Sequence, residues 1–178
     1  AKGLLATAIN DPNPVLFFEH KALYRSIYGE VPQEYYTLPL GKANRLREGS
    51  RVSIITFGAG VHWALEILEE LGIGDVDLLD LRSLCPLDTE SIYESVRRTG
   101  KELLLQEDSL FGGIMSDVSA LIAEHCFEYL DAPPKRVGGL ETPIPFSRNL
   151  EAGYLPTERF KKALEDLYRD FFDRFPDP

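Results

Sequence analysis

Hydrophobic positions recur along most of this chain at one of two spacings, and the spacing switches repeatedly. Leu4, Leu5 and Ala8 make a short helical stripe, closed by the turn formers Asn10-Asp11-Pro12-Asn13-Pro14. The run Val15-Leu16-Phe17-Phe18 is too apolar for a half-exposed strand and is read as a buried one. From residue 29 to residue 50 periodicity disappears, and Pro32, Tyr35, Tyr36, Pro39 and Gly41 mark an irregular connection. A domain boundary is expected there, near Leu46, separating residues 1–45 from residues 46–178.

Beyond it strand and helix alternate. Residues 52–57 read as a strand ended by Gly58-Ala59-Gly60. Val61, Ala64, Leu65, Leu68 and Leu71 then recur at helical spacing until Gly72 stops the helix. Residues 76–81 predict a second strand, and Asp88 is placed to cap a helix through Val96, with Leu87 and Ile92 as a hydrophobic staple. Leu103-Leu104-Leu105 predicts a third strand, followed by Gly112-Gly113 and a helix around Val118, Leu121 and Ile122. Arg136-Val137 is a weak fourth strand. Thr157 is expected to cap a last helix carrying Phe160, Ala163, Leu164, Leu167, Tyr168 and Phe171. Such alternation means β-α-β units, and hence a three-layer α/β/α sandwich around a mainly parallel sheet.

Composition narrows the function. A formal net charge of −10 over 178 residues argues against nucleic acid, which needs clustered Lys and Arg. It suits either an ordinary acidic enzyme or a surface that attracts a basic partner. Cys85 and Cys126 form no C-x-x-C pair, which fits a reducing cytoplasmic compartment, or the mitochondrial matrix in a eukaryote. There is no signal peptide and no apolar run near the roughly 18 residues of a membrane helix. The start at Ala1-Lys2-Gly3, inside a helical pattern, is read as a processed or truncated product.

Gly58-x-Gly60-x-x-Ala64, with Asp80 about twenty residues on, nearly reproduces a dinucleotide-binding fingerprint. Tight strand-to-helix turns need glycine for backbone reasons alone, and His62 and Trp63 are bulky for a phosphate cradle. His20, His62 and His125 show no metal-ligand spacing, and Cys85, before Pro86, has no sequence-local base. Glu19-His20 is read as an acid near Lys21 in an ion pair rather than as an acid-base pair. Asp11-Pro12-Asn13-Pro14 holds two oxygen-bearing side chains between prolines, an arrangement that either forms an Asx turn or offers oxygens to a hard cation.

The order of segments is itself informative. Phe17-Phe18-Glu19-His20-Lys21-Ala22-Leu23-Tyr24-Arg25 resembles the end of the pyrimidine-binding domain in β subunits of thiamine-diphosphate-dependent branched-chain 2-oxo acid and pyruvate dehydrogenases. Pro39-Leu40-Gly41-Lys42-Ala43 and Arg47-Glu48-Gly49 look like the connection that follows. Asp80-Leu81-Arg82-Ser83-Leu84-Cys85-Pro86-Leu87-Asp88, Gln106-Glu107, Gly112-Gly113, Leu130-Asp131-Ala132-Pro133, Val137-Gly138-Gly139, Thr142-Pro143 and Leu155-Pro156 are similar, in order and spacing, to a transketolase-type carboxy-terminal domain.

The resemblance implies a carboxy-terminal part of a β subunit, or β half, of a decarboxylating dehydrogenase, with phenylalanines at 17 and 18 leaning towards the branched-chain (2-oxoisovalerate) enzyme over the pyruvate enzyme. It implies that the catalytic and thiamine-diphosphate- and magnesium-binding residues lie upstream, leaving none here, so the chain alone is expected to be inactive. The carbonyl of Ala8 with Asp11 and Asn13 would form part of a potassium site, and Asp131 matches an aspartate used to dock the peripheral binding domain of the lipoate acyltransferase. The implied partners are the α subunit or α half, a second β copy and that acyltransferase; no nucleic acid or membrane is expected. A free-standing Rossmann-type dinucleotide-binding domain is the competing reading from another class.

Overall fold

The computed structural model describes residues 1–174, with side chains through Tyr168. The apolar position Phe171 and residues 175–178 of the expected second domain therefore have no described side chain. No helix among the described residues is long and apolar enough to cross a membrane.

Helix α1 (Lys2–Asn10) has no side-chain cap and is held from outside. Lys2 Nζ donates to the carbonyls of Pro32, Gln33 and Glu34 at 2.5, 3.1 and 2.9 Å, and Thr7 donates its hydroxyl to Leu38 O at 2.5 Å. Gly3 is required by this clasp, because a Cβ there would sit 2.5 Å from the Tyr36 ring. The expected strand at Val15-Leu16-Phe17-Phe18 does not form. That segment runs without ladder partners towards a single turn, α2 (Leu23–Ser26), leaving Phe18 88% and Leu16 84% exposed. A short apolar run reads alike whether it faces its own sheet or a surface supplied by another chain.

The main unit follows. In chain order it comprises β1 (Asn44–Arg47), β2 (Val52–Thr56), α3 (Ala59–Leu71), β3 (Val76–Asp80), α4 (Thr89–Thr99) and β4 (Glu102–Ser109). It continues through α5 (Ile114–His125), a 3-10 turn (Phe127–Tyr129), β5 (Lys135–Gly139), α6 (Arg148–Tyr154) and α7 (Thr157–Arg174). The strand order is β1-β3-β2-β4-β5, parallel except for β1, which lies antiparallel at the edge beside β3. The irregular stretch expected from residue 29 to 50 thus contains a strand. Its sequence Asn-Arg-Leu-Arg carries no apolar alternation; its ladder to β3 is joined by an ion pair in which Arg45 Nε lies 3.0 Å from the buried carboxylate of Asp77 on β3. Charged edge strands of this kind are invisible to hydropathy.

Two apolar layers cover the sheet. On one side Val52, Ile54, Leu78, Leu103 and Leu105 pack with Leu68 of α3 and Phe160 and Leu164 of α7. On the other, Ile55, Leu79 and Leu104 pack with Ile92 and Val96 of α4 and Met115, Val118 and Ile122 of α5. The expected three-layer sandwich is the observed one. Three details differ: β4 runs well past Leu105, the apolar pattern does not predict α6, and Thr157 heads α7 rather than preceding it, since the Phe160 N–H bonds to Pro156 O at 2.8 Å.

Asp88 fastens the connection to the sandwich. As N-cap of α4 it accepts the Ser91 N–H at 3.3 Å and the Ser91 hydroxyl at 2.8 Å, and it also accepts the Ala43 N–H at 3.0 Å. Burial pushes its carboxyl pKa up, but these three donors and Lys42 outweigh burial and hold it below the ordinary value. Its contribution is therefore complete above that ordinary value, 3.8, and is lost as the pH falls through the lower folded one. Asp88→Ala, which leaves two backbone N–H groups unmatched, is expected to cost about 1–3 kcal/mol at pH 7 by urea unfolding.

Candidate functional site

Helix α4 ends at Gly100, whose φ of 65° is left-handed, and the chain turns at once into β4. The first strand residue, Glu102, pairs with Ser53 across the β2–β4 ladder and is 0% exposed. Neither of its carboxyl oxygens has a hydrogen-bond partner. Ser53 offers none, because its hydroxyl lies 2.7 Å from each of the Ser95 and Thr99 hydroxyls. The turn after the 3-10 segment comes back over this corner: the Asp131 N–H donates to Gly100 O at 2.7 Å. A Cβ on Gly100 would meet Asp131 Oδ2 at 2.6 Å, so the aspartate carboxylate lies against the start of β4 while the residue stays exposed. Two acids, one open and one enclosed, thus meet at the amino end of the parallel strands. Burial pushes the Glu102 carboxyl up to about 8, with the charge of Asp131 adding to the effect. Burial likewise raises the nearby Cys126 thiol, with Arg97 pulling the other way.

The oxygen cluster at the end of α1 is a second arrangement. Asp11 Oδ1 accepts the Asn13 N–H at 2.9 Å and the Asn13 side-chain amide at 3.1 Å, an Asx turn. The helix bond from residue 12 to Ala8 O has no donor, because residue 12 is proline. Asp11 and Asn13 are therefore brought together, and Ala8 lies in the last turn of α1 just before them; Asp131 belongs to the other corner.

The glycine turn has a structural explanation at both ends. Gly58 sits at φ 58°, ψ −129°, and a Cβ on Gly60 would run into the Thr56 hydroxyl, which donates to Leu105 O at 3.0 Å. Asp80 accepts the Arg82 N–H at 3.0 Å, with the Arg82 guanidinium 3.9 Å away. Its carboxyl is raised by burial, against the pull of Arg82. Of the histidines, His20 lies 3.1 Å from Glu107 on β4, while Glu19, expected to pair with Lys21, has the Tyr24 hydroxyl as its partner. Cys85 is free and exposed, before a cis proline. No group of three or more His, Cys, Asp or Glu side chains among the described residues is arranged to hold a metal ion.

The family pattern described as "Transketolase, C-terminal domain" matches residues 41–159. The chain belongs to this family. The family match favours the transketolase-type reading over the dinucleotide-binding one. Among curated relatives, the 2-oxoisovalerate dehydrogenase subunit beta of Bacillus subtilis is 46% identical over 171 residues, covering 94% of this chain and 52% of that protein. The pyruvate dehydrogenase E1 component subunit beta of the same organism is 45% identical over 173 residues, covering 93% and 53%. Its acetoin:2,6-dichlorophenolindophenol oxidoreductase subunit beta is 47% identical over 160 residues, covering 88% and 46%. A solved structure, "Split gene transketolase, inactive beta4 tetramer", superposes with a TM-score of 0.64 at 27% identity, covering 79% of this chain and 46% of that one. The chain spans about half the length of the curated relatives it matches.

Sequence reasoning did not anticipate the acetoin-type relative, and it missed Glu102. A charged pair, Lys101-Glu102, before three leucines looks like a solvated strand start. The signal was the period of two: Glu102 and Leu104 share a face, and Leu104 is core.

A carboxyl whose folded pKa exceeds its unfolded value binds its proton more tightly when folded. The stability due to Glu102 is therefore complete below its unfolded value of 4.5 and lost as the pH rises through about 8. Stability is expected to fall by at most about 1.4 kcal/mol per pH unit across that window. Glu102→Gln should flatten the slope in urea unfolding measured from pH 5 to 8; equal slopes in both proteins would show that Glu102 does not hold the proton.

Proposed function

We propose that this transketolase-type unit works as the carboxy-terminal part of the β subunit, or β half, of a 2-oxo acid dehydrogenase of the branched-chain type, in the cytoplasm or the mitochondrial matrix. The similarity to the Bacillus subtilis 2-oxoisovalerate dehydrogenase subunit beta over 94% of the chain carries the reading. The exposed apolar surface supports it: Ile9, Leu16, Phe18, Tyr28, Phe111 and Phe146 are each more than two-thirds exposed, more than a free-standing domain needs. The α subunit or α half and a second β copy are the occupants proposed for that surface.

The residues described here do not fit thiamine diphosphate or magnesium: no acidic metal cluster is present among them to hold the magnesium that a diphosphate needs, and Gly60 of the glycine turn is accounted for by its packing on Thr56. Binding of that cofactor is assigned to the upstream portion and the α partner, and the role of this chain is assembly. The Ala8 carbonyl, Asp11 and Asn13 have the right chemistry for part of a potassium site, all three offering oxygen, although Asp11 Oδ1 is turned towards the Asn13 amide. The test is reconstitution. The assembled enzyme is expected to turn over 2-oxoisovalerate faster than pyruvate or acetoin, with no turnover by this chain alone. A preference for pyruvate or acetoin would move the chain to one of the other two relatives' activities.

Asp131 is proposed as the docking point for the acyltransferase's peripheral binding domain. Its backbone is pinned to Gly100, so the carboxylate loses little entropy on meeting an arginine or lysine. Asp131→Ala is expected to weaken that binding by about 2 kcal/mol or more, and to leave thermal stability nearly unaltered, as at an exposed site. Surface plasmon resonance at low salt with unchanged affinity would remove Asp131 from the interface.

A further inference from the structure

Glu102 has no partner that explains its presence in the sandwich. An enclosed carboxyl with both oxygens unmatched is costly to keep, and it lies next to the one acid proposed above as a docking point. The charged and titratable groups around it leave the two acids as a unit. Asp131 faces it from the turn and Cys126 from the end of α5. Arg97, in the last turn of α4, is engaged with Glu90 at 3.3 Å and stacks over Tyr129. Asp77, on β3, is matched by Arg45 at 3.0 Å and Arg98 at 3.7 Å. Lys101, the preceding residue, is buried and has interactions of its own.

We propose that Asp131 is the seat for a single lysine or arginine side chain of a partner protein, with the enclosed Glu102 beside it carrying a proton while the seat is empty and releasing it when the cation arrives. The inference rests on the reading of Asp131 as a docking point. The charges balance. With the seat empty there are one carboxylate and one carboxylic acid, a net charge of minus one. With it filled there are two carboxylates and one cation, again minus one, and the proton passes to water. A cation bound at Asp131 cancels that carboxylate's part in favouring the Glu102 proton, the smaller part beside burial, and places an opposite charge near it, so both changes favour release. The buried acid therefore strengthens a contact that the exposed acid alone would make weakly in water. The proton also makes that contact pH-dependent. An overall charge of −10 directs basic partners to this protein in the first place.

The experiment is isothermal titration calorimetry of the chain with a purified acyltransferase peripheral binding domain, in phosphate and in Tris at pH 7. The two buffers differ in ionisation enthalpy, so the difference in heat counts protons. The native chain is expected to release between half a proton and one proton per domain bound, and its affinity to rise several-fold from pH 6.5 to 8. Glu102→Gln and Glu102→Leu, checked for folding by circular dichroism, should bind with no proton release and a flat pH profile. Binding by the native chain without proton release, or equal release by the variants, overturns the proposal and leaves docking at Asp131 standing. No binding by the native chain overturns both.

Discussion

Three parallel strands, β2, β3 and β4, are enclosed on both faces, and nearly every other feature follows from having to cover both faces at once. One cover is made by α3 and α7, the other by α4 and α5, so the chain crosses from one face to the other after α3 and back again before α7. The returns between them must then be tight. That requirement places glycine at 58, 60, 72 and 100, and it draws the Asp131 turn down onto Gly100. A residue at the first position of β4 is sealed beneath that turn whatever its chemistry. Glu102 is charged chemistry in such a position, and its displaced proton equilibrium results from the packing rather than from any dedicated pocket.

Features built from apolar spacing were legible before any coordinates. The stripe from Val61 to Leu71, its stop at Gly72, the Asp88 cap and the three leucines of β4 all came out of periodicity and capping chemistry, and the structure has them. What could not be seen depends on partners far away in sequence. Arg45 of edge strand β1 reaches Asp77, and His20 is met by Glu107, pairings that local pattern does not encode. Val15-Leu16-Phe17-Phe18 misled for the opposite reason. Its apolarity is real, but it pairs with no strand of this sheet.

The two ends of the sheet divide the proposed work. At the carboxyl end of β4, Glu107 takes His20 and ties the amino-terminal segment to the sandwich, while α1 is clasped by residues 32–38. At the amino end, Asp131 lies exposed over the enclosed Glu102, where the proposed basic partner would meet it. Assembly and docking thus use opposite ends of the strand, which lets either contact form without disturbing the other.

Hydrogen–deuterium exchange over residues 12–36 tests most directly whether the amino-terminal segment is an interface. Few of its amides are bonded within the chain, so in the isolated protein they should exchange within seconds to minutes. Assembly with the upstream portion and the α partner should slow that exchange by at least tenfold while the sandwich strands remain unchanged. Strong protection of residues 12–36 in the isolated chain, or no change on assembly, would contradict the assignment of this segment to an interface.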